Sequence, residues 1–273
     1  LSTAVYIVVA AAIGIASMFG IAWLGLQIPP RPFPDIPEQT PALETVELPP
    51  NLPTPAIRYY KTIVKDQVPV IESAIITGRG SIRVKGITFP SRFRFAYLAG
   101  RGYRHYIEAT LFGFPVMTVN EYYLDGKARM ELPVGTIENE PKIDMAANLG
   151  LWAESIWMPS IFITDPRVHF RAIDDTTVLI LVPFGEDTDT LIATFDHVTG
   201  LISKLEAMRW REPTDETKIA WRNEPLEWID SHGIMIPSPA ATMWIDEGTP
   251  WAAWRIDNVA YNVDVSEILD ARR

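Results

Sequence analysis

Residues 143–160 read Ile-Asp-Met-Ala-Ala-Asn-Leu-Gly-Leu-Trp-Ala-Glu-Ser-Ile-Trp-Met-Pro-Ser, and they hold the one long helical pattern in the body of the chain. With Asp144 as N-cap and Pro159 as stop, the pattern predicts a central helix over 143–158, about four turns long. At about 100° per residue, Met145, Ala146, Leu149, Trp152, Ala153, Ile156 and Trp157 share one broad arc. Asp144, Asn148, Glu154 and Ser155 share a narrower one with Ala147 and Leu151. A helix apolar over more than half its girth must be covered on most sides. The neighbouring segments decide what covers it.

Those segments alternate with the period of strands. Residues 81–87, 92–97, 103–112 and 116–124 set apolar against polar positions, and Asp125-Gly126 is a hairpin turn into 127–132. Gly-Arg-Gly at 78–80 and again at 100–102 is expected to turn in both places. After the helix, 168–173, 176–183, 190–196 and 201–211 form a meander. Strands over 218–222, 227–229, 242–245 and 252–261 follow, with a closing helical turn over 266–271. A short helix over 56–65 precedes them all. Many short strands, one long helix and no βαβ alternation define the fold class as mainly β (α+β). The expected architecture is a large curved antiparallel sheet, an open or half barrel, packed on the central helix. A single transmembrane helix precedes it.

That first helix follows from charge. Residues 3–28 contain no charged side chain, and the first in the chain is Arg31. As a helix they reach roughly 39 Å, against a bilayer core of about 30 Å. A membrane anchor over 1–28 is therefore expected. Ala12, Ala16 and Gly20 place small residues at i, i+4 and i+8, the spacing that lets two helices approach closely in lipid. Residues 29–55 then carry ten prolines, which predicts an extended, semi-rigid linker. Such a linker either holds the domain off the membrane or lies along a neighbouring protein. Its charges are Arg31 against Asp35, Glu38, Glu44 and Glu47, an acidic flank that favours an extracytoplasmic domain. The plan is an anchor over 1–28, a linker over 29–55 and a β-rich domain over 56–273.

Chemistry is sparse. A net charge of −10 argues against a nucleic-acid partner, because phosphate binding rests on clustered Lys and Arg. There is no cysteine, hence no disulfide, thiolate site or cysteine nucleophile. His105, His169, His197 and His232 show no metal-ligand spacing, so neither a metal nor a cofactor is expected. Asp174-Asp175 and Asp196-His197 sit where strands must turn, and a calcium loop at Glu186, Asp187 and Asp189 lacks the glycine and bidentate glutamate it needs. No nucleophile elbow or phosphate loop occurs, and no catalytic residue is assigned. Glu154 is the notable acid. It lies beside Ala147, Leu151 and Met158, with Arg129, Arg209 and Arg211 as candidate partners.

Four stretches carry a resemblance: Tyr-Leu-Asp-Gly-Lys-Ala-Arg-Met from Tyr123, Asp144 with the run 151–160, Ile-Asp-Asp-Thr-Thr from Ile173, and Phe195-Asp196 with Thr199-Gly-Leu-Ile and Met208-Arg-Trp-Arg. Together they resemble an uncharacterised family of bacterial membrane-anchored proteins with a helix between β-meanders. The resemblance implies a fold similar to lipoprotein-localisation-factor-type carriers, half barrels that hold acyl chains between a curved sheet and a helical lid. It transfers no catalytic residue.

Two functions follow from different classes. In the first, a membrane-anchored, extracytoplasmic, non-catalytic domain holds a lipid or other apolar ligand between sheet and helix, with Trp152, Glu154, Ile156, Trp157 and Met158 as candidate ligand-binding residues. In the second, the chain is an accessory subunit of a larger membrane complex, docked through its transmembrane helix and Pro-rich arm. A carrier needs an unfilled apolar cavity, whereas a scaffold fills that space with its own side chains.

Overall fold

The computed structural model describes residues 3–65 and 67–270. Helix α1 (Thr3–Leu26) comes first, and its Tyr6–Leu26 segment is long and apolar enough to cross a membrane. Most of it stands clear of the domain; Ala12, Ala16 and Gly20 are exposed. Strand β1 (Thr45–Glu47) pairs antiparallel with β2 (Gln67–Pro69), and α2 (Thr54–Val64) lies between them in the chain. Pro55 opens α2, where its missing N–H has no intrahelical partner to lose.

Next come β3 (Ser73–Val84), β4 (Ile87–Leu98), β5 (Gly102–Leu111), β6 (Phe114–Leu124), β7 (Lys127–Leu132) and β8 (Gly135–Glu138), joined by hairpins. Helix α3 (Pro141–Glu154), a single 3₁₀ turn (Ser155–Trp157) and the short α4 (Ile161–Thr164) interrupt them. A second run follows: β9 (His169–Ala172), β10 (Thr177–Phe184), β11 (Asp187–Phe195), β12 (Ile202–Arg209) and β13 (Ile219–Pro225). The ribbon β14 (Trp228–Ser231) and β15 (Ile234–Pro237) pairs with itself. The chain ends in β16 (Ala240–Trp244), β17 (Ala252–Tyr261) and α5 (Ser266–Asp270).

Thirteen of these strands form one antiparallel sheet in the order β8-β7-β6-β5-β4-β3-β17-β16-β13-β12-β11-β10-β9. Its two edges do not meet, so the sheet is open. Helix α3 carries the chain from the β8 edge to the β9 edge, touching β5, β6 and β7 on one side and β10, β11 and β12 on the other. One helix therefore seals both halves. Phe93, Phe95 and Tyr97 of β4 and Tyr103 and Ile107 of β5 turn inward beneath it, as the alternation predicts.

Three expectations are corrected. The helix starts at Pro141 with Glu140 as N-cap and ends at Glu154, and the continuation to 157 tightens into the 3₁₀ turn. Asp144 is not the cap. It is buried in the first turn, accepting the Ala128 backbone N–H at 2.7 Å and Lys127 Nζ at 2.9 Å. Gly78-Arg79-Gly80 is not a turn but the middle of β3. A Cβ on Gly80 would meet the Ala253 carbonyl oxygen at 1.8 Å, so only glycine admits β17 so closely.

The Pro-rich stretch is not a free spacer. It runs down the outer face of the domain's own sheet. Arg92 donates to the Arg31 carbonyl at 3.3 Å, and the Arg92 and Arg94 guanidiniums lie 4.3 and 5.1 Å from the Phe33 ring centre. Farther along, Ile36 packs on a second apolar cluster that includes Ile75 and Ala96. The Tyr261 N–H then donates to Thr40 Oγ1 at 2.9 Å.

Candidate functional site

Between the concave face of the sheet and α3 lies a cavity of about 750 Å³. Its walls are largely apolar: Ile107, Met130, Leu132 and Ile143 on one side, Trp221, Trp244, Trp251 and Trp254 on the other. The helix presents Ala146, Ala147 and Gly150 to it, three small residues in a row of contacts. Small side chains there leave the volume unfilled. Trp or Leu at the same positions would close it.

The deep end is polar. His105 Nε2 stands 3.0 Å from Glu154 Oε2, and the Tyr97 hydroxyl donates to the same oxygen at 3.0 Å. On its other side His105 Nδ1 is 3.8 Å from Glu121 Oε2, while the Tyr103 hydroxyl donates to Glu121 Oε1 at 2.5 Å. The Tyr103 and His105 rings stack at 3.9 Å. Burial pulls the His105 proton affinity down, but the charges and hydrogen bonds of Glu154 and Glu121 outweigh it and raise its pKa to about 9. Burial likewise pushes Glu121 up, yet His105 first and Arg209 next hold it below the usual carboxylate range. Desolvation, followed by the neighbouring carboxylates, drives Tyr97 and Tyr103 well above a normal phenol.

Arg209 completes this floor. Its Nε donates to the Ala146 carbonyl at 2.8 Å and its guanidinium lies 4.6 Å from the Trp221 ring centre. Among the described residues no carboxylate oxygen comes within salt-bridge distance of it. The terminal nitrogens are thus the available cationic donors along the cavity wall. Thr242, the aliphatic hydroxyl in the lining, donates to Asn223 Oδ1 at 2.8 Å and accepts from Trp254 Nε1 at 3.2 Å. With His105 held protonated between two carboxylates and Thr242 committed, the floor is suited to hold a polar group and not to take up a proton.

The mouth is at the end of the sheet that carries the β3–β4 turn. Arg83, Lys85, Gly86, Glu247 and Trp251 line it. Arg83 pairs with Glu247 at 2.5 Å, and Arg211 with Asp246 at 2.5 Å and Glu247 at 3.5 Å.

Of the residues expected to bind ligand, Glu154 lines the cavity and Trp152, Ile156, Trp157 and Met158 do not. Trp152 is completely buried and packs on Phe162. Trp157 donates from Nε1 to the Pro237 carbonyl at 3.0 Å, and its own carbonyl accepts the Tyr261 hydroxyl at 2.9 Å. Glu154 is partnered by His105 and Tyr97, not by an arginine: Arg129 pairs with Glu131 and Arg211 with Asp246. Arg209, a candidate partner of Glu154 in the sequence, lines the same cavity without pairing with it, and Tyr103, His105 and Glu121 join it there. The one signal for those three is polar or amphipathic side chains on inward-facing strand positions.

Two of the other acid candidates have local structural partners. Asp196 accepts the N–H groups of Val198 and Thr199 and so folds its turn. Asp189 is buried against Asn148. Among the described residues no group of three or more His, Asp or Glu is placed to hold a metal ion.

Fold and site together define an open antiparallel sheet closed by a single helix over an internal, mostly apolar cavity. The chain belongs to a family of unknown function, DUF6544, whose model matches residues 42–256. This agrees with the uncharacterised family that its motifs resemble. The chain is also similar to a LolA superfamily protein from Nitrosomonas europaea, at 8% identity and TM-score 0.47, covering 79% of this chain and 96% of that one. A DUF1329 family protein from Desulfovibrio piger is similar at 10% identity and TM-score 0.40, covering 72% and 88%. No curated protein matches the chain.

Proposed function

We propose that this protein is a membrane-anchored, extracytoplasmic binding domain that holds one amphipathic, lipid-like molecule between its sheet and α3. The observation that carries the reading is the cavity itself. About 750 Å³ lies open between the sheet and α3, and that volume falls within the roughly 300–1,000 Å³ of ligand sites. Tryptophan, isoleucine and methionine walls suit an acyl chain or ring system. Arg209, at the polar floor, offers a charge-assisted hydrogen bond to an anionic or strongly polar head. Helix α1 supports the anchor through its length and lack of charge, and the acidic flank from Asp35 to Glu47 supports an extracytoplasmic domain.

Native mass spectrometry of the full chain, released gently from its own membranes, tests this. A single lipid-sized adduct per chain is expected. A bare chain, or one carrying a stoichiometric protein partner and no lipid, would overturn the reading.

A further inference from the structure

Residues 111–117, Leu-Phe-Gly-Phe-Pro-Val-Met, contain no charged or hydrogen-bonding side chain, yet they form the tip of the β5–β6 hairpin. Phe114 is 73% exposed and Val116 50% exposed. Ile87, beside the adjacent β3–β4 turn, is also half exposed. A run of this kind in water is a fault unless something apolar meets it.

The position of α1 says what meets it. The Phe112 N–H donates to the Gly25 carbonyl at 2.9 Å, joining the hairpin tip to the last turn of the apolar helix. Gly25 is buried there, and a Cβ on it would come within 2.7–2.9 Å of the Phe112 and Leu111 side chains. Because the Pro-rich stretch folds back along the sheet, no spacer separates the domain from this junction. The 24 residues of α1 reach about 36 Å, so a bilayer core of about 30 Å leaves the Gly25 end at headgroup depth. Trp23, exposed in that last turn, suits the same layer.

We propose that the β5–β6 tip (Phe112, Phe114 and Val116), with Ile87, inserts into the interface of the bilayer that α1 enters, and so docks the domain. The strand register gives this a consequence. Ile82 pairs with Ala252 and Thr242 with Ala252, which puts Lys85, Glu247 and Trp251 at the same end of the sheet as the tip. The cavity mouth therefore opens toward the lipid surface, next to the inserted hairpin, whereas His105 and Glu121 lie six or more residues farther along β5 and β6. The docking surface rests on the membrane-anchor reading of α1 and is independent of which molecule fills the cavity.

The chain has no cysteine, so single labels report on one position each. The full chain is reconstituted into phosphatidylcholine vesicles containing nitroxide-labelled lipid, with an NBD fluorophore on Phe114→Cys, Ile87→Cys, Ala16→Cys or Val198→Cys. Val198 is 78% exposed in the β11–β12 turn, at the opposite end of the sheet. Labels at 114, 87 and 16 are expected to shift to the blue and be quenched by the lipid, and the label at 198 to remain as in water. If the label at 16 is quenched while 114 and 87 match 198, the docking surface is overturned and the anchor stands. If the label at 16 is not quenched, the anchor reading fails and the docking surface falls with it.

Discussion

His105 in the middle of β5 and Glu154 at the last residue of α3 meet at 3.0 Å, Nε2 to Oε2, and this contact ties the helical lid to the cavity floor. The pair makes the packing of α3 on the sheet sensitive to protonation. His105 has a pKa of about 9 when folded against 6.5 as a free side chain, because Glu154 and Glu121 outweigh the burial that opposes them. Its contribution to stability is full below pH 6.5 and is lost as pH rises through about 9.

Thermal unfolding between pH 6 and 9 should therefore show a falling midpoint above pH 7, amounting to no more than about 3 kcal/mol. His105→Gln keeps a donor but not the charge, and should flatten the profile over that window. Tyr97 and Tyr103, pushed well above a normal phenol by desolvation and then by the carboxylates, add their own loss of stability as unfolded phenols ionise near pH 10, so the comparison is read below pH 9. A wild-type midpoint constant from pH 6 to 9 would contradict the coupling.

Trp157 separates the cavity from the filled core. It is buried beside Phe95 and Tyr97 and held by Pro237 and Tyr261. Trp157→Ala should cost about 3–5 kcal/mol, the range for emptying a packed aromatic site. Ligand occupancy of the surviving folded protein should be unchanged, since Trp157 does not line the cavity. Denaturant titration and native mass spectrometry on the same sample check both halves.

Gly80 tests how closely β17 must approach β3. A Cβ there would sit 1.8 Å from the Ala253 carbonyl oxygen, and one on Gly78 2.2 Å from that of Arg255. Just beyond, the β3–β17 register slips between Ile256 and Asn258, and the intervening Asp257 receives Arg79 through both carboxylate oxygens at 2.8 and 2.9 Å. Gly80→Ala should destabilise at the upper end of the roughly 1–3 kcal/mol that overpacking costs, because backbone and not a mobile side chain must give way. An unfolding midpoint equal to wild type would show that β17 can step aside.

The same strand marks how far the sequence could be read. Alternation is local, so it located β4 to β7, the Asp125-Gly126 turn and the meander from β9 to β12 within a few residues. Gly78 and Gly80 carry a turn composition, and only the approach of β17, more than 170 residues away, keeps them in a strand. The ligand site was harder for the same reason. Helix periodicity identified an apolar arc, but half of it is core: Trp152 and Trp157 face packed side chains, and the cavity faces the unremarkable Ala146, Ala147 and Gly150. His105, Glu121 and Arg209 come from three strands, and no one-dimensional spacing brings them together.

Gly150 is where the binding reading can be tried with least damage to the fold. A Cβ on it would lie 3.5 Å from Arg209 Nη2 and 3.8 Å from the Tyr103 hydroxyl, ordinary contact distances facing the void. Gly150→Ala should therefore stabilise α3 by up to about 1 kcal/mol, the helix-propensity difference, and leave binding intact. Gly150→Leu adds a larger side chain that must enter the cavity beside Arg209 and Tyr103. Five tryptophans line that space, so binding of a dansyl-labelled fatty acid to the full chain in detergent can be followed by energy transfer. Wild type and Gly150→Ala should saturate at one probe per chain, and Gly150→Leu should lose at least tenfold in affinity at similar stability. Equal affinity in all three would place the ligand outside the cavity between β5 and α3.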